Sequence, residues 1–158
     1  MALKIRRVVT GHDENGRAVV QIDEQVKNLV SMRYNAQSSV IWSTGTLPAD
    51  NNDPQDGAAR KVATTDPNGT VFRVIEFSPG VAPRNHRTES IDYAVVMSGE
   101  IDMEMDGTMV HLRAGDVLVQ RGTIHDWINN GTEPCVIAFV LIAARPVEVG
   151  GKALPGHG

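Results

Sequence analysis

The sequence predicts an all-β, antiparallel fold, and three observations support that prediction. From residue 70 onward, short apolar stretches alternate with turns that contain glycine. The stretch EIDMEM at 100–105 alternates apolar and polar residues with a period of two, as a half-buried strand does. No segment repeats its apolar residues with the 3.6-residue period of a helix. This combination is typical of a β-sandwich or a closed barrel.

Composition places the chain among ordinary globular proteins. Its 158 residues suffice for one domain with a buried core. A formal net charge of −4 is too mild to indicate nucleic-acid binding. No apolar run reaches the roughly 20 residues of a membrane span, and the N-terminus becomes charged before a signal-peptide core can form. The single cysteine, Cys135, lies in the apolar run CVIAFVLIAA, which predicts a buried thiol, no internal disulfide and a cytoplasmic location.

The first part of the chain predicts an extension that packs on the barrel. The stretches IRRVVTG and AVVQIDE flank HDENG, whose Asn15-Gly16 pair favours a hairpin turn. A short strand, VIWST, precedes a loop rich in Pro, Asp, Asn and Gly, and such a loop more often covers a site or contacts a partner than serves as a linker. The predicted division is an N-terminal β extension with a long surface loop, a barrel, and a mobile or docked tail: residues 1–69, 70–145 and 146–158.

The barrel strands differ in how many faces they bury. Ile101, Met103 and Met105 share one face of their strand, with polar residues on the other. AVVM and VIAFVLIA are apolar on both faces, which favours a barrel whose outer face is partly covered, for example by a second subunit. The predicted strands are TVFRVIEF, IDYAVVM, EIDMEM, TMVHL, VLVQ, HDWINN and CVIAFVLIAA. The methionines expected to fill the core or line a pocket are Met97, Met103, Met105 and Met109.

Glycine and polar residues recur at fixed spacings in two segments. Five residues separate a glycine from a histidine in the first, and the second reads G-x2-H-x3-N. The residues concerned are Gly80, His86, Asp92 and Gly99, then Gly122, His125 and Asn129. In these motifs, over roughly residues 70–142, the sequence resembles the cupin family. The resemblance implies an antiparallel double-stranded β-helix, also called a cupin or jelly-roll barrel, with its site inside and a homodimeric assembly.

The two motifs depart from the family pattern at the metal-ligand positions. His86 and His125 match histidines of the pattern, whereas Thr88 replaces a second histidine and Asp92 replaces a glutamate. Arg121 replaces a proline. The resemblance therefore implies the barrel but not a four-ligand metal centre.

The remaining polar groups allow two kinds of chemistry. In an extended segment, His86, Thr88 and Asp92 share a face, and His125 can join them inside the barrel. Two imidazoles and one carboxylate can hold a divalent transition metal such as Zn²⁺, Fe²⁺ or Mn²⁺. Without a metal, the same three residues, His86, His125 and Asp92, can act as acid–base groups, with Asp92 orienting a ring. The alternative for the two histidines is that they are ordinary hydrogen-bonded cavity residues, and the alternative for Asp92 is a strand-entry residue that accepts loop N–H groups.

Four residues are candidates for contacting a substrate: Trp127, Arg121, Thr88 and Arg73. Trp127 shares a face with His125 and can wall an aromatic or apolar substrate, although tryptophan there commonly packs the core. Arg73 and Arg84 can bind a carboxylate at two points, whereas Arg87 is expected to be solvated. These features favour a decarboxylase, isomerase or dioxygenase that acts on a small organic acid or phenolic. The alternative is a non-catalytic barrel that senses or stores a small molecule, with neither nucleic acid nor membrane as a partner.

Overall fold

A computed structural model describes residues 3–158 and confirms the all-β fold, since none of these residues lies in a helix. Consequently none of them forms a helix long and apolar enough to cross a membrane. The strands are β1 Arg6–His12, β2 Ala18–Gln25, β3 Val30–Arg33, β4 Ala36–Thr44, β5 Thr70–Phe77, β6 Ser90–Ser98, β7 Glu100–Met105, β8 Thr108–Arg113, β9 Val117–Arg121, β10 Asp126–Ile128, β11 Cys135–Ala143, β12 Val147–Val149 and β13 Lys152–Leu154.

Two sheets enclose the core of the barrel. The larger has the order β3-β4-β5-β11-β6-β9 and the smaller the order β10-β7-β8, while β1-β2 and β12-β13 are separate hairpins. Neighbouring strands are antiparallel, as the alternating pattern predicted. Strands β5 and β7 have the bounds read from the sequence, whereas β3, β12 and β13 were not predicted. Their short, weakly apolar sequences leave little local signal for a strand.

Side chains from both sheets meet in one core. Phe77, Ile137 and Phe139 of the larger sheet pack with Ile101 and Met103 of the smaller. The predicted inward face of β7 is confirmed. Cys135 is fully buried, and this burial raises the pKa of its thiol to about 11. The thiol is therefore protonated and unreactive near neutral pH.

Two of the four methionines expected in the core lie outside it. Met97 and Met109 are each 54% exposed. Met97 follows buried Val96 on β6 and so points to the outer face. Met109 lies directly across from Glu104 and shares its exposed face. For Met97 the sequence did not reveal this, because AVVM is apolar on both faces, whereas Met109 shares its face with polar His111 and Arg113.

The outer face of the larger sheet is apolar and open in the single chain. Tyr93 on β6 lies beside Val119 on β9, and Val95 lies beside Val117, and all four side chains are exposed. Each pair is adjacent across the ladder, so the four form one patch. The cover that the sequence predicted for this face is not supplied by residues 3–158.

The loop at 45–69 is anchored to the barrel by a buried arginine. Arg7 of β1 donates to both carboxylate oxygens of Asp56, at 2.7 and 2.8 Å, and to Glu24 at 2.7 Å. Ser43 donates to the Gly57 carbonyl at 2.6 Å. These contacts hold the loop against β4, so that its last residues reach the interior of the barrel.

Candidate active site

His86 and His125 come from two distant turns and meet inside the barrel. The backbone N–H of His86 donates to the His125 carbonyl at 3.0 Å, and the N–H of His125 donates to the His86 carbonyl at 2.9 Å. This isolated antiparallel bridge brings the ring centres to 4.3 Å. Both residues are buried. The convergence of the two imidazoles expected from the motifs is thus a feature of the fold.

Backbone carbonyls determine the orientation of both rings. The Nδ1 atom of His86 lies 2.8 Å from the Arg84 carbonyl oxygen, and that of His125 lies 2.9 Å from the Thr123 carbonyl oxygen. A carbonyl oxygen only accepts, so each Nδ1 carries the hydrogen and donates it. Each Nε2 therefore bears the lone pair, and neither has a hydrogen-bond partner among the described residues. Asp92 does not orient either ring, which corrects that part of the sequence-based interpretation.

Burial keeps both imidazoles neutral. Desolvation is the main cause that lowers the pKa of His86, and it lowers the pKa of His125 to about 4. The hydrogen bond from each ring to a carbonyl opposes this shift only in part. Near neutral pH both rings are therefore proton acceptors with a free lone pair.

Asp92 ends a chain of side-chain hydroxyl groups. The Ser90 hydroxyl donates to Asp92 Oδ1 at 2.5 Å, and the Thr88 hydroxyl oxygen lies 2.8 Å from that of Ser90. Because the hydrogen of Ser90 is already donated, Thr88 is the donor in the second contact. Burial is the main cause that raises the pKa of Asp92, and the Ser90 hydrogen bond lowers it in part. Asp92 therefore keeps its proton to higher pH than an exposed aspartate.

The three-residue metal site expected from the motifs is not assembled. Among residues 3–158, no three His, Cys, Asp or Glu side chains lie close enough together to hold a metal ion. His86 and His125 have the free Nε2 atoms that a metal requires, but Asp92 does not join them. A protein site for Zn²⁺ normally supplies at least three such ligands. The donor set as folded does not fit the expected metal centre.

The histidine pair and Asp92 line one small cavity of about 40 Å³, which is partly open to solvent. Trp127, Phe77 and Phe139 form part of its apolar wall. The Trp127 ring stands edge to face with His125, with ring centres 5.8 Å apart. Trp127 thus packs in the core and also lines the cavity. The sequence had left these two roles for Trp127 as alternatives.

The cavity also receives arginine side chains, which we call the arginine cluster: Arg33, Arg73 and Arg84. Arg73 projects inward from β5 and donates to the carbonyls of Ala63 and Thr64 at 2.7 and 3.2 Å. Thr64, at the end of the long loop, lines the cavity as well. The loop therefore helps to build the site.

The structure separates the substrate-binding candidates. Thr88, Arg73 and Trp127 line the cavity with the histidines, whereas Arg121 is exposed and lies in a separate surface pocket. Strand alternation explains this, since Gln120, the preceding residue, is the one that points inward. Sequence reasoning missed Arg33 and Thr64. No local pattern marks them, because only the pairing of β3 with β4 and the folding of the loop bring them to the cavity.

Comparisons with known proteins agree with this architecture. The Cupin domain family model matches residues 73–142. The chain is 37% identical over 166 residues to the cupin-domain-containing oxidoreductase fogC of Aspergillus ruber, covering 98% of this chain and 80% of that protein. The chain belongs to the cupin family. This cupin is also 35% identical to the phomopsin biosynthesis cluster protein D of Diaporthe leptostromiformis, covering 95% of this chain and 84% of that protein. These relatives point to an enzymatic role.

Solved structures confirm the barrel. The polyketide cyclase RemF from Streptomyces resistomycificus superposes with a TM-score of 0.53 at 18% identity, covering 77% of each chain. The structure of KdgF from Halomonas sp. gives a TM-score of 0.50 at 15% identity, covering 73% of this cupin and 87% of that chain. At this identity the similarity establishes the double-stranded β-helix and nothing about the reaction.

Proposed function

We propose that this cupin is a small-molecule enzyme that moves a proton on an enolisable carbonyl compound, as an isomerase does, with a small organic acid or phenolic as substrate. The observation that carries this proposal is the pair of neutral imidazoles, each with Nδ1 held by a carbonyl and Nε2 free, in the same cavity as a carboxyl group with a raised pKa. Environments that lower the pKa of one group and raise that of another separate a base from an acid.

The proposed step uses both groups. The Nε2 atom of one histidine accepts the proton of the carbon beside the carbonyl, and the electrons of that C–H bond form a C=C double bond. The carbonyl oxygen takes a proton from the Asp92 carboxyl group and becomes the hydroxyl of an enol. The hydroxyl chain of Ser90 and Thr88 holds Asp92 in place through this transfer. In an enediol or a conjugated enol, the histidine returns its proton to another carbon while the enol O–H gives its proton back to Asp92, and the carbonyl form of an isomer results.

The relatives support a place in small-molecule biosynthesis. Three of them are named as biosynthesis cluster proteins. Several others are named as oxidoreductases, which makes an oxidation or reduction of the same substrate class a second candidate. In that case the histidines and Asp92 supply or remove the accompanying protons. Measuring whether an oxidant or reductant is consumed in proportion to product distinguishes this candidate, because isomerisation consumes neither.

The decisive experiment follows keto–enol exchange of two probes, phenylpyruvate and its methyl ester, by NMR in D₂O. The full chain should accelerate exchange at the carbon beside the carbonyl. His86→Ala with His125→Ala should abolish the acceleration, because no other imidazole lines the cavity among the described residues. His111→Ala is the matched control, since His111 is exposed on β8 and bonded to Asp102.

Two results would contradict the proposal. One is equal exchange in the wild type and in the folded double variant. The other is stoichiometric binding of a small molecule with no exchange, no product and no oxidant consumed, which would favour the sensor or storage barrel. Circular dichroism on each variant establishes that the barrel remains folded.

We also propose that the chain forms a homodimer through the apolar outer face of the larger sheet. Tyr93, Val95, Val117 and Val119 make that face a continuous apolar patch, and a second copy is the partner that every such chain has available. Light scattering after size-exclusion chromatography should give a dimer, and Val119→Glu should give a monomer. Val149→Glu, at an exposed position on β12, is the control. A monomeric wild type would overturn the assembly.

A further inference from the structure

The arginine cluster has no Asp or Glu partner. Among residues 3–158, none of Arg33, Arg73 and Arg84 forms an ion pair with an Asp or Glu side chain, although five other basic residues do. Arg73 is only 7% exposed, and a buried guanidinium without a counter-charge costs folding free energy. Arg33 and Arg73 bond only to neutral oxygens of carbonyls or hydroxyls, whereas Arg84 donates to Thr64 and to an oxygen of Gly158, the last residue of the sequence.

Two donors of the cluster are buried with no acceptor. Nε of Arg73 and Nη2 of Arg33 have no hydrogen-bond partner. The rest of each guanidinium is held firmly, because Arg33 Nε donates to the Ala82 carbonyl at 2.8 Å and Arg73 Nη2 donates to Ala63. Buried donors in native proteins are normally satisfied, so an unpartnered pair lining a cavity indicates a missing acceptor.

The local charge balance indicates the sign of that acceptor. The charges of the cluster act on one another, since Arg84 disfavours the protonated forms of both Arg33 and Arg73. Asp126 favours the protonated form of Arg33. Its Oδ1 already accepts the backbone N–H of Arg84 at 2.9 Å. No carboxylate of the described residues acts on Arg73, so the part of the cavity next to Arg73 is positive.

We infer that the arginine cluster is a carboxylate-binding subsite, and that the ligand of this cavity is an organic acid rather than a neutral phenolic. This inference rests on the proposed function for the reacting end of the same molecule. The carboxylate accepts hydrogen bonds from Arg73 Nε and Arg33 Nη2, and Arg84 adds a third positive charge. The apolar part of the ligand then lies along Trp127.

Planar guanidinium groups favour this ligand class. A carboxylate presents two oxygens that accept charge-assisted hydrogen bonds, and these bonds are about twice as strong as neutral ones. A neutral phenol offers one oxygen and no charge, so it leaves at least one of the two buried donors unpartnered. The predicted preference is therefore for the anion over its neutral analogue of the same shape.

Calorimetry with benzoate and benzamide tests this preference on the full chain. The two probes have nearly the same shape, and only benzoate carries the charge. The wild type should bind benzoate at least about 10-fold more tightly than benzamide. Arg73→Gln should remove most of that preference, with a loss of about 10- to 100-fold in benzoate affinity. Arg113→Gln removes the same charge from an exposed site on β8 and should leave the preference intact.

Folding defects are separated from binding defects by a second variant. If Arg73→Gln fails to give a cooperative thermal transition, Arg33→Gln, which is less buried, decides the question. Equal affinity for the two probes in the wild type would overturn the inference. So would a preference for benzoate that survives both substitutions in folded protein.

The two proposals fail in different ways. Exchange of the phenylpyruvate methyl ester depends on the histidines and needs no carboxylate. Histidine-dependent exchange of the ester, together with no preference for benzoate, would contradict the carboxylate subsite but not the proposed reaction. A clear benzoate preference, with no histidine-dependent exchange of either probe, would contradict the proposed reaction but not the subsite.

Discussion

Arg7 forms a two-point ion pair with Asp56, a residue 49 positions further along the chain. Its neighbour Arg6 points to the opposite side of β1 and pairs with Asp23 in solvent. Adjacent residues of one strand thus hold one buried and one exposed ion pair, as strand alternation requires. Only the buried pair connects the N-terminal hairpin to the long loop that reaches the cavity.

Arg7→Met should destabilise the protein by about 2–3 kcal/mol, because it removes the anchor of the loop and leaves Asp56 without its partner. This is less than the full value for a completely buried pair, since Asp56 and Glu24 are partly hydrated. Arg6→Met should cost much less, because its pair with Asp23 is exposed to solvent. Urea unfolding of the two variants measures the difference, and equal losses would contradict the assigned role of Arg7.

Gly99 and Gly107 both have positive φ, at 74° and 85°, but only Gly99 is crowded. A Cβ added at Gly99 would lie 2.3 Å from the Pro134 carbonyl oxygen, whereas one at Gly107 would meet nothing within 4 Å. Gly107→Ala should cost about 1–2 kcal/mol from backbone strain alone. Gly99→Ala should add a steric cost of about 1–3 kcal/mol. Thermal unfolding of both variants separates the two effects, and similar losses would show that the β6–β7 turn moves freely.

Acid should destabilise the protein through His125. The folded pKa of about 4 lies below the unfolded value of 6.5, so the unfolded state binds more protons between these values. Stability from this group is complete above about pH 6.5 and falls as the pH drops toward 4, by about 3 kcal/mol in total. His125→Gln should remove most of this loss. Urea midpoints at several pH values measure this loss. If the stability of His125→Gln falls between pH 6.5 and 4 as much as that of the wild type, the prediction is wrong.

The titration of Asp92 should change stability with pH in the direction opposite to that of His125. Its folded pKa is raised, so the folded state holds its proton more tightly and the wild type loses stability as the pH rises above the usual value of 3.8. Asp92→Asn removes this titration and should stabilise the protein at pH 8 but not near pH 4. The same variant should slow keto–enol exchange by about 10²-fold or more, because the amide is a poor proton donor. Unchanged exchange would remove Asp92 from the proposed step.

Removal of metal should leave the fold unchanged. His86 and His125 are held by each other's backbone and by carbonyl oxygens rather than by a third ligand. Treatment with a chelator should therefore not lower the thermal midpoint or the exchange rate. Elemental analysis of the purified protein should give less than one transition metal per chain. Stoichiometric metal that disappears in His86→Ala would overturn this expectation.

The strand content was predictable because strand signals are local. A period of two and glycine-containing turns depend on neighbouring residues, so β5 and β7 could be delimited from the sequence. The inward direction of Asp92 and the outward direction of Glu89 follow from the same alternation. Arg121 was misjudged because proximity to His125 in sequence says nothing about which face it shares.

The amino-acid sequence by itself determined the all-β class, the family and the two histidines, since these depend on short patterns. Tertiary structure alone decided which nitrogen of each imidazole is free, which carboxyl group is buried, and that Arg33 and Arg73 line one cavity, each with an unpartnered donor. Those properties arise from hydrogen bonds and desolvation between segments far apart along the chain, and no local pattern encodes such distances.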